Sequence, residues 1–372
     1  MKRVIFAIMI VLNLGISGCI SQTIDEDGIA VPDNINATDD GELVIVTYDV
    51  YGLTEHMLAN FENVSGYNIT MTKLDDAGSV LDHLLQYKGA QVSDLAIGLD
   101  NTYLQTAIDN NVLWPHEVNL SGLSEIALAP YDGGLAAPFD HGYICLNYDS
   151  SVVDGTNYTV PTSLWDLTSS EWAGKVAIPS PESSSPGRIF MTATTDYFAN
   201  DDDNTTEWTD WWTAMKNNDV IITSGWSEAY VTHYTGGYGV WEDDHIGDAH
   251  IVVSYCHSPG VEAWYGSNYT ISTALDLPRA SLHQVEYAAA VQGGNLAAAR
   301  AFIEYLISEE VNLDMPIENS MYSVINGTDL PEENGYRYHS VVPTQPADVS
   351  PSEIARNMEA WLEMWNAAMV DA

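Results

Sequence analysis

Between Leu43 and Asp100 the hydrophobic pattern switches repeatedly between the period of a strand and the period of a helix. LVIVTYD (43–49) alternates as a strand, and LTEHMLANFENVSG (53–66) reads as a helix with a glycine stop. YNITMTKL (67–74) is strand-like again, and SVLDHLLQYKG (79–89) sets Val80, Leu81, Leu84 and Leu85 on one helical face before the strand DLAIGLD (94–100). This β-α-β-α-β order predicts an α/β lobe with a largely parallel sheet, whose ligands sit beyond the carboxyl ends of the strands. Those ends read TYD, KLDD and GLDN.

A second run of the same kind follows AAPFDHGYICLNYD (136–149). SLWDLTSSEWAGKVAIPSPESSSPG (163–187) leads from a Trp-bearing helix through the strand KVAIPS to a Ser/Pro/Gly turn, which opens the helix GRIFMTATTDYF. Such a turn offers hydroxyls and free backbone N–H groups to an anionic or polar ligand group, or it is a plain N-cap with proline beside it. At 372 residues the chain has room for two domains, or for two lobes of one.

Charge and the N-terminus narrow the class. With 53 acidic against 11 basic residues and a formal charge of -42, the chain repels phosphate backbones and anionic lipid, so nucleic acid is excluded as a partner and cationic ligands are favoured. Lys2 and Arg3 precede the apolar run VIFAIMIVLNLGIS, which meets ISGC at Ile16 to Cys19. The segment reads as an export signal rather than a packed helix. The tetrad resembles a lipobox, which would make Cys19 a lipid anchor at the outer face of the cytoplasmic membrane; the alternative is an ordinary cleaved signal, which would leave the protein periplasmic, or an N-terminal membrane helix with an incidental cysteine. Residues 20–41 are polar and acidic, and read as a flexible tether. N-x-[ST] sequons starting at Asn36, Asn63, Asn68, Asn119, Asn157, Asn204, Asn268 and Asn326 agree with export.

Other chemistries leave no trace. There is no G-x-x-x-x-G-K-[ST] or G-x-G-x-x-G, and GWSEA lacks the last glycine of a nucleophile elbow. Cys145 and Cys256 have no zinc spacing and are either buried thiols or one disulfide. WEDDHIGDAH (241–250) reads as a solvated loop rather than a metal site, and DDDNTTE (201–207) does not fit an EF-hand. No catalytic residue, metal or cofactor is assigned.

SLWDLTSSEWAGKVAIPSP together with NLAAARAFIEYLISEEVN (295–312) resembles the two-lobed extracytoplasmic solute-binding proteins of ABC importers. TYD (47–49), GLDN (98–101), PFDHGY (138–143), SSSPG (183–187), TSGWSEAY (223–230), SYCHSP (254–259) and the tail PSEIARNMEAWLEMWNAAM resemble, in the same order, the thiamine binders among them. The resemblance implies a type 2 periplasmic-binding-protein fold that closes around its ligand by hinge motion. Its partners would be a small molecule and a membrane permease driven by a separate ATPase. It implies lobe one in residues 42–137 and 287–372, the latter with a C-terminal helix, and lobe two in 138–286, with PFDHGYICL and HQVEYAAAV (283–291) crossing between them.

The ligand so implied is a thiazolium cation joined to an aminopyrimidine, which calls for aromatic faces, carboxylates near the cation and paired donors and acceptors. The ligand-binding residues expected on this ground are Tyr48, Asp76 (or its neighbour Asp75), Asp100, Asp140, Ser184, Ser185, Trp226 and Tyr255. Glu228 is read as a turn residue. Where the thiamine binders carry an arginine before S-x-P-G this chain has Glu182, expected to repel phosphate and favour free thiamine. Val261 and the run Asn319, Ser320, Met321 replace aromatic walls of the family. Trp264, Tyr265 or Tyr322 substitutes, or the ligand is a relative such as a pyrimidine precursor. The alternatives are a thiaminase-like enzyme with Cys145 or Cys256 as nucleophile, and a binder of a polyamine or ferric iron.

Overall fold

The computed structural model describes residues 22–24, 30–32, 39–48, 53–201 and 205–370; the lipobox cysteine Cys19 and Asp49 lie outside them. Before Asp39, in a unit of its own, β1 (Gln22–Ile24) pairs antiparallel with β2 (Ala30–Pro32), within the stretch read from composition as a tether.

The main unit is built on one sheet. Its strands are β3 (Glu42–Tyr48), β4 (Asn68–Leu74), β5 (Leu95–Asp100), β6 (Leu113–Trp114), β7 (Ala137–Asp149), β8 (Val176–Pro179), β9 (Ile221–Thr223), β10 (Ile251–Tyr255), β11 (Ser272–Ala274), β12 (Leu282–Val291) and β13 (Tyr322–Ser323). They run in the order β4-β3-β5-β12-β7-β10-β8-β9, with β6 beside β12 and with β11 and β13 beside β7. The flanks β4-β3-β5 and β10-β8-β9 are parallel, whereas β12 and β7 pair antiparallel with each other and with the flanks.

Local chemistry sets these elements. Thr54 caps the helix Glu55–Ser65 by accepting from Met57 N, and Gly66 ends it at a φ of 81° that glycine takes without strain. Asp76 caps Ala77–Gln86 by accepting from Ser79 N, and Val80, Leu81 and Leu84 point into the core. The Trp-bearing segment before β8 differs from the helix its pattern suggests. Ser169 has extended backbone at ψ 154°, so the segment divides into the short 3-10 turns Leu164–Thr168 and Ser170–Trp172.

Two hydrophobic cores form. One gathers Leu43, Ile45, Leu95 and Ile97 of the first parallel flank with Phe302 and Ile303 of the helix Leu296–Leu306. The other gathers Val176, Ile178, Ile251 and Val253 with Phe190, Trp211 and Trp212. The helix Pro351–Val370 buries Ile354, Met358 and Trp365 in the second core, with the Trp365 ring 5.8 Å from that of Trp212. β7 and β12 run from one core to the other: Ala137 pairs with Ala288 at one end, and Ile144 with Leu282 and with Tyr255 of β10 at the other. Cys145 on β7 and Cys256 just after β10 form a disulfide.

Candidate functional site

The carboxyl ends of both parallel flanks open into one cleft of ≈ 1650 Å³. From the first flank come Tyr48 at the end of β3 and the turn Asp75–Asp76 after β4; from the second come Ser183–Pro186 after β8, Ser224–Glu228 after β9, and Tyr255 with His257 and Ser258 after β10. Parallel strands present their carboxyl ends together, which is why residues so distant in sequence meet here.

Six of the eight expected residues line this cleft: Tyr48, Asp76, Ser184, Ser185, Trp226 and Tyr255. The Trp226 indole lies parallel to the Tyr230 ring with centres 5.0 Å apart, and its Nε1–H donates to Ser254 Oγ at 2.8 Å. Tyr255 stands edge-on to it, ring centres 6.3 Å apart. Tyr48 donates its hydroxyl proton to Glu286 Oε1 at 2.6 Å, and burial holds that phenol well above its ordinary pKa. Asp76 faces the cleft while also serving as the helix cap.

The other two expected residues lie elsewhere. Asp100 and Asp140 are fully buried and do not line the cleft, because β5 and β7 carry them into the covered centre of the sheet. Asp100 Oδ1 accepts from both Thr102 N and Thr102 Oγ1 at 2.6 Å, and Asp140 Oδ2 accepts from Asn319 Nδ2. Between them stands the carboxylate that the sequence reading omitted. Glu286, the lone acid in HQVEYAAAV, lines the cleft floor although it is only 2% exposed. An acid inside an otherwise apolar crossing strand was the signal available for it.

Glu182 also differs from expectation. Its carboxylate accepts from Asn366 Nδ2 at 2.7 Å and is not part of the cleft wall. The charge of the wall comes instead from Asp75, Asp76, Glu228, Glu262, Glu286 and Glu318, with no lysine or arginine among the described lining residues. His257 adds no positive charge, since burial pushes its pKa down to about 4 and its Nε2–H donates to Ser320 O. Arg188 approaches the serine turn only from behind: Nε donates to Pro181 O at 3.1 Å, and the guanidinium carbon lies 3.8 Å from the centre of the Tyr103 ring.

Glu228 behaves as a turn residue, accepting from Ser224 N and Oγ, both at 2.8 Å. Of the three aromatic substitutes expected, Tyr265 lines the cleft, whereas Trp264 packs near Tyr336 and Tyr322 stacks on His141. Tyr238 and Trp241 line it as well, so the segment read as a solvated loop contributes its one tryptophan to the wall. The disulfide leaves neither Cys145 nor Cys256 as a free thiolate.

The sequence pattern of bacterial extracellular solute-binding proteins matches residues 56–320. The chain belongs to that family. This solute-binding protein is 25% identical over 334 residues to the thiamine-binding periplasmic protein of Escherichia coli, covering 88% of this chain and 93% of the other. It is 22% identical over 332 residues to the protein of the same name from Brucella melitensis, covering 88% and 92%. Among solved structures it superposes on a periplasmic thiamin binding protein with a TM-score of 0.73 at 23% identity, covering 88% and 96% of the two chains. It superposes on iron-bound HitA from Pseudomonas aeruginosa with a TM-score of 0.66 at 14% identity, covering 88% and 99%. These likenesses establish the two-lobed periplasmic-binding fold, and the family places this solute-binding protein outside the cytoplasm, where a disulfide persists.

Proposed function

We propose that this protein captures thiamine outside the cell and delivers it to the permease of an ABC importer. The observation that carries the reading is the pairing of aromatic faces with a wall of carboxylates that holds no described lysine or arginine. A cation loses little in leaving water for such a wall, and a desolvated cation over an aromatic face is worth on the order of 2 kcal/mol. The curated relatives carry thiamine in their names, and thiamine is a cation with an aromatic second ring. In this reading Tyr48, Trp226 and Tyr255 supply ring faces, Asp76 and Glu286 supply charge and acceptors, and Ser184 with Ser185 serves the hydroxyethyl end. Asp100 and Asp140 support the floor from behind.

Residues 42–137 and 287–325 form the lobe of the first core, and 138–286 the other, to which the C-terminal helix Pro351–Val370 returns instead of staying with the first as the resemblance implies; closure is about β7 and β12. Cys19 carries the lipid that holds the protein at the membrane. Capture needs no covalent step, and with Cys145 and Cys256 bonded to each other the thiaminase-like alternative has no nucleophile among the described cysteines.

Calorimetric titration with thiamine, thiamine monophosphate and thiamine diphosphate tests the reading. Free thiamine binds one-to-one and at least tenfold more tightly than the diphosphate, because each phosphate charge meets carboxylates at roughly 1 kcal/mol per close pair even at the dielectric of water. Preference for the diphosphate would reverse the electrostatic argument, and cleavage of the ligand, seen by mass analysis, would make the protein an enzyme. Replacing the indole, Trp226→Ala, weakens thiamine binding at least tenfold in a folded protein. Wild-type affinity in that variant would take Trp226 out of the site.

A further inference from the structure

The floor of the cleft contains more acid than it can hold ionised. Glu286 on β12 stands in register with Asp100 on β5 to one side and with Asp140 on β7 to the other. Register partners in antiparallel strands project to the same face with Cβ atoms about 4.5–5.5 Å apart. All three side chains are buried to within 2% exposure. Three full charges so close together and so dry would cost far more than a shifted protonation equilibrium, so the row holds a proton.

The hydrogen bonds show where the proton sits. Glu286 Oε1 accepts from Tyr48 Oη at 2.6 Å and from Gln284 Nε2 at 3.0 Å, the pattern of an ionised oxygen. Asp140 Oδ2 accepts from Asn319, no donor reaches its buried Oδ1, and its carboxyl group lies within hydrogen-bonding reach of that of Glu286. Two acceptor groups facing each other with no donor between them require one hydrogen.

We propose that the Asp140–Glu286 pair shares one proton while the cleft is empty, and releases it to solvent when a cation binds over Tyr48 beside Glu286. The proposal rests on the reading of the cleft as a cation site. The balance is simple: the pair passes from one negative charge to two, the ligand supplies the compensating positive charge, and one proton leaves. A neutral ligand of the same shape supplies no such charge and displaces nothing.

Among the described residues, those facing the pair bring it no counter-charge. Tyr48 on β3 and Tyr255 on β10 face it as neutral phenols, Gln284 is uncharged, and Asp100 adds negative charge. Arg188 is felt at Asp100 from the far side. His141 and His283, on the same crossing strands, are kept neutral by burial, with pKa values pushed down to about 4 and about 3. Burial likewise raises Asp140 well above the usual carboxylate range and takes Glu286 up to about 7. The sign follows. A bound cation lowers the pair's proton affinity, so protons compete with the ligand. Affinity is weakest in acid and rises by up to tenfold per pH unit until the free pair has lost its proton.

The test is calorimetric titration with thiamine at pH 7 in phosphate and in Tris, two buffers of different ionisation enthalpy. The expected result is a difference in binding enthalpy corresponding to about half a proton to one proton released per thiamine. A neutral analogue with thiophene in place of thiazolium keeps the aminopyrimidine, so it controls for protons exchanged by that ring, and is expected to show no release. Glu286→Gln, or Asp140→Asn should the first variant fold poorly, is expected to erase the buffer dependence for thiamine. Tight binding with the same enthalpy in both buffers overturns the proton exchange and leaves the thiamine reading standing. Equal release with the neutral analogue overturns it too. Failure to bind thiamine at all strikes the reading of the cleft first, and the proton exchange with it.

Discussion

Adding one methyl group at Gly98 is expected to abolish measurable capture of thiamine, with affinity falling at least a hundredfold, because the Tyr48 ring lies against that backbone. A Cβ built at Gly98 would stand 2.1 Å from Tyr48 Cε1 and 2.5 Å from Cδ1, far inside van der Waals contact. Gly98 also has φ +97°, a conformation that strains any L side chain by on the order of 1–3 kcal/mol. The Gly98→Ala protein must therefore swing Tyr48 away, losing its hydrogen bond to Glu286 and one aromatic face of the cleft. Titration with thiamine and thermal unfolding of the same protein check both halves of the statement. Native affinity would mean that the ring has another resting place and that Gly98 does not set it.

The second large effect concerns stability. The disulfide ties β7 to the segment after β10 and closes a loop with a sequence separation of 111. In the double replacement Cys145→Ser, Cys256→Ser the unfolded chain regains the freedom of that loop, so stability falls by about 2–5 kcal/mol. Urea unfolding followed by fluorescence measures it. An unchanged midpoint with an unchanged slope would show that the strands are held by packing alone. Tyr255 and His257 flank Cys256 and line the cleft, so thiamine affinity is expected to fall in the same protein, though less steeply than stability.

The sequence carried those parts of the molecule that local chemistry decides. The alternation of periods located β3, β4 and β5 with their two helices, and the caps at Thr54 and Asp76 are visible as polar residues ahead of apolar runs. Tyr48, Ser184, Trp226 and Tyr255 could be named only through the resemblance to the thiamine binders; parallel strands, which deliver their ends to one place, explain why all four line the cleft. What could not be read is decided by register between strands far apart in the chain. Whether Asp100 and Asp140 face a ligand or one another depends on which residue of β12 stands between them. That residue, Glu286, lies 186 positions after Asp100 in the numbering. Likewise nothing near Gly98 in sequence shows that a tyrosine ring from β3 will lie against it. The direction of the Glu182 side chain, toward Asn366 of the C-terminal helix, is set by tertiary packing in the same manner.

The crossing strands give the cleft a mechanical property apart from its chemistry. β7 and β12 run from one core to the other, and Asp140 and Glu286 lie along their paired middle. In the closure about β7 and β12 proposed above, points on the pivot travel least and points on the lips travel furthest. The floor is therefore close to its working shape before any bending begins, while Trp241 and Tyr265, both more than 70% exposed at the mouth, have the longest arc to cover. A guest is thus examined at the axle first and gripped at the lips afterwards. A molecule rejected at the floor can depart through a gap that has not begun to narrow.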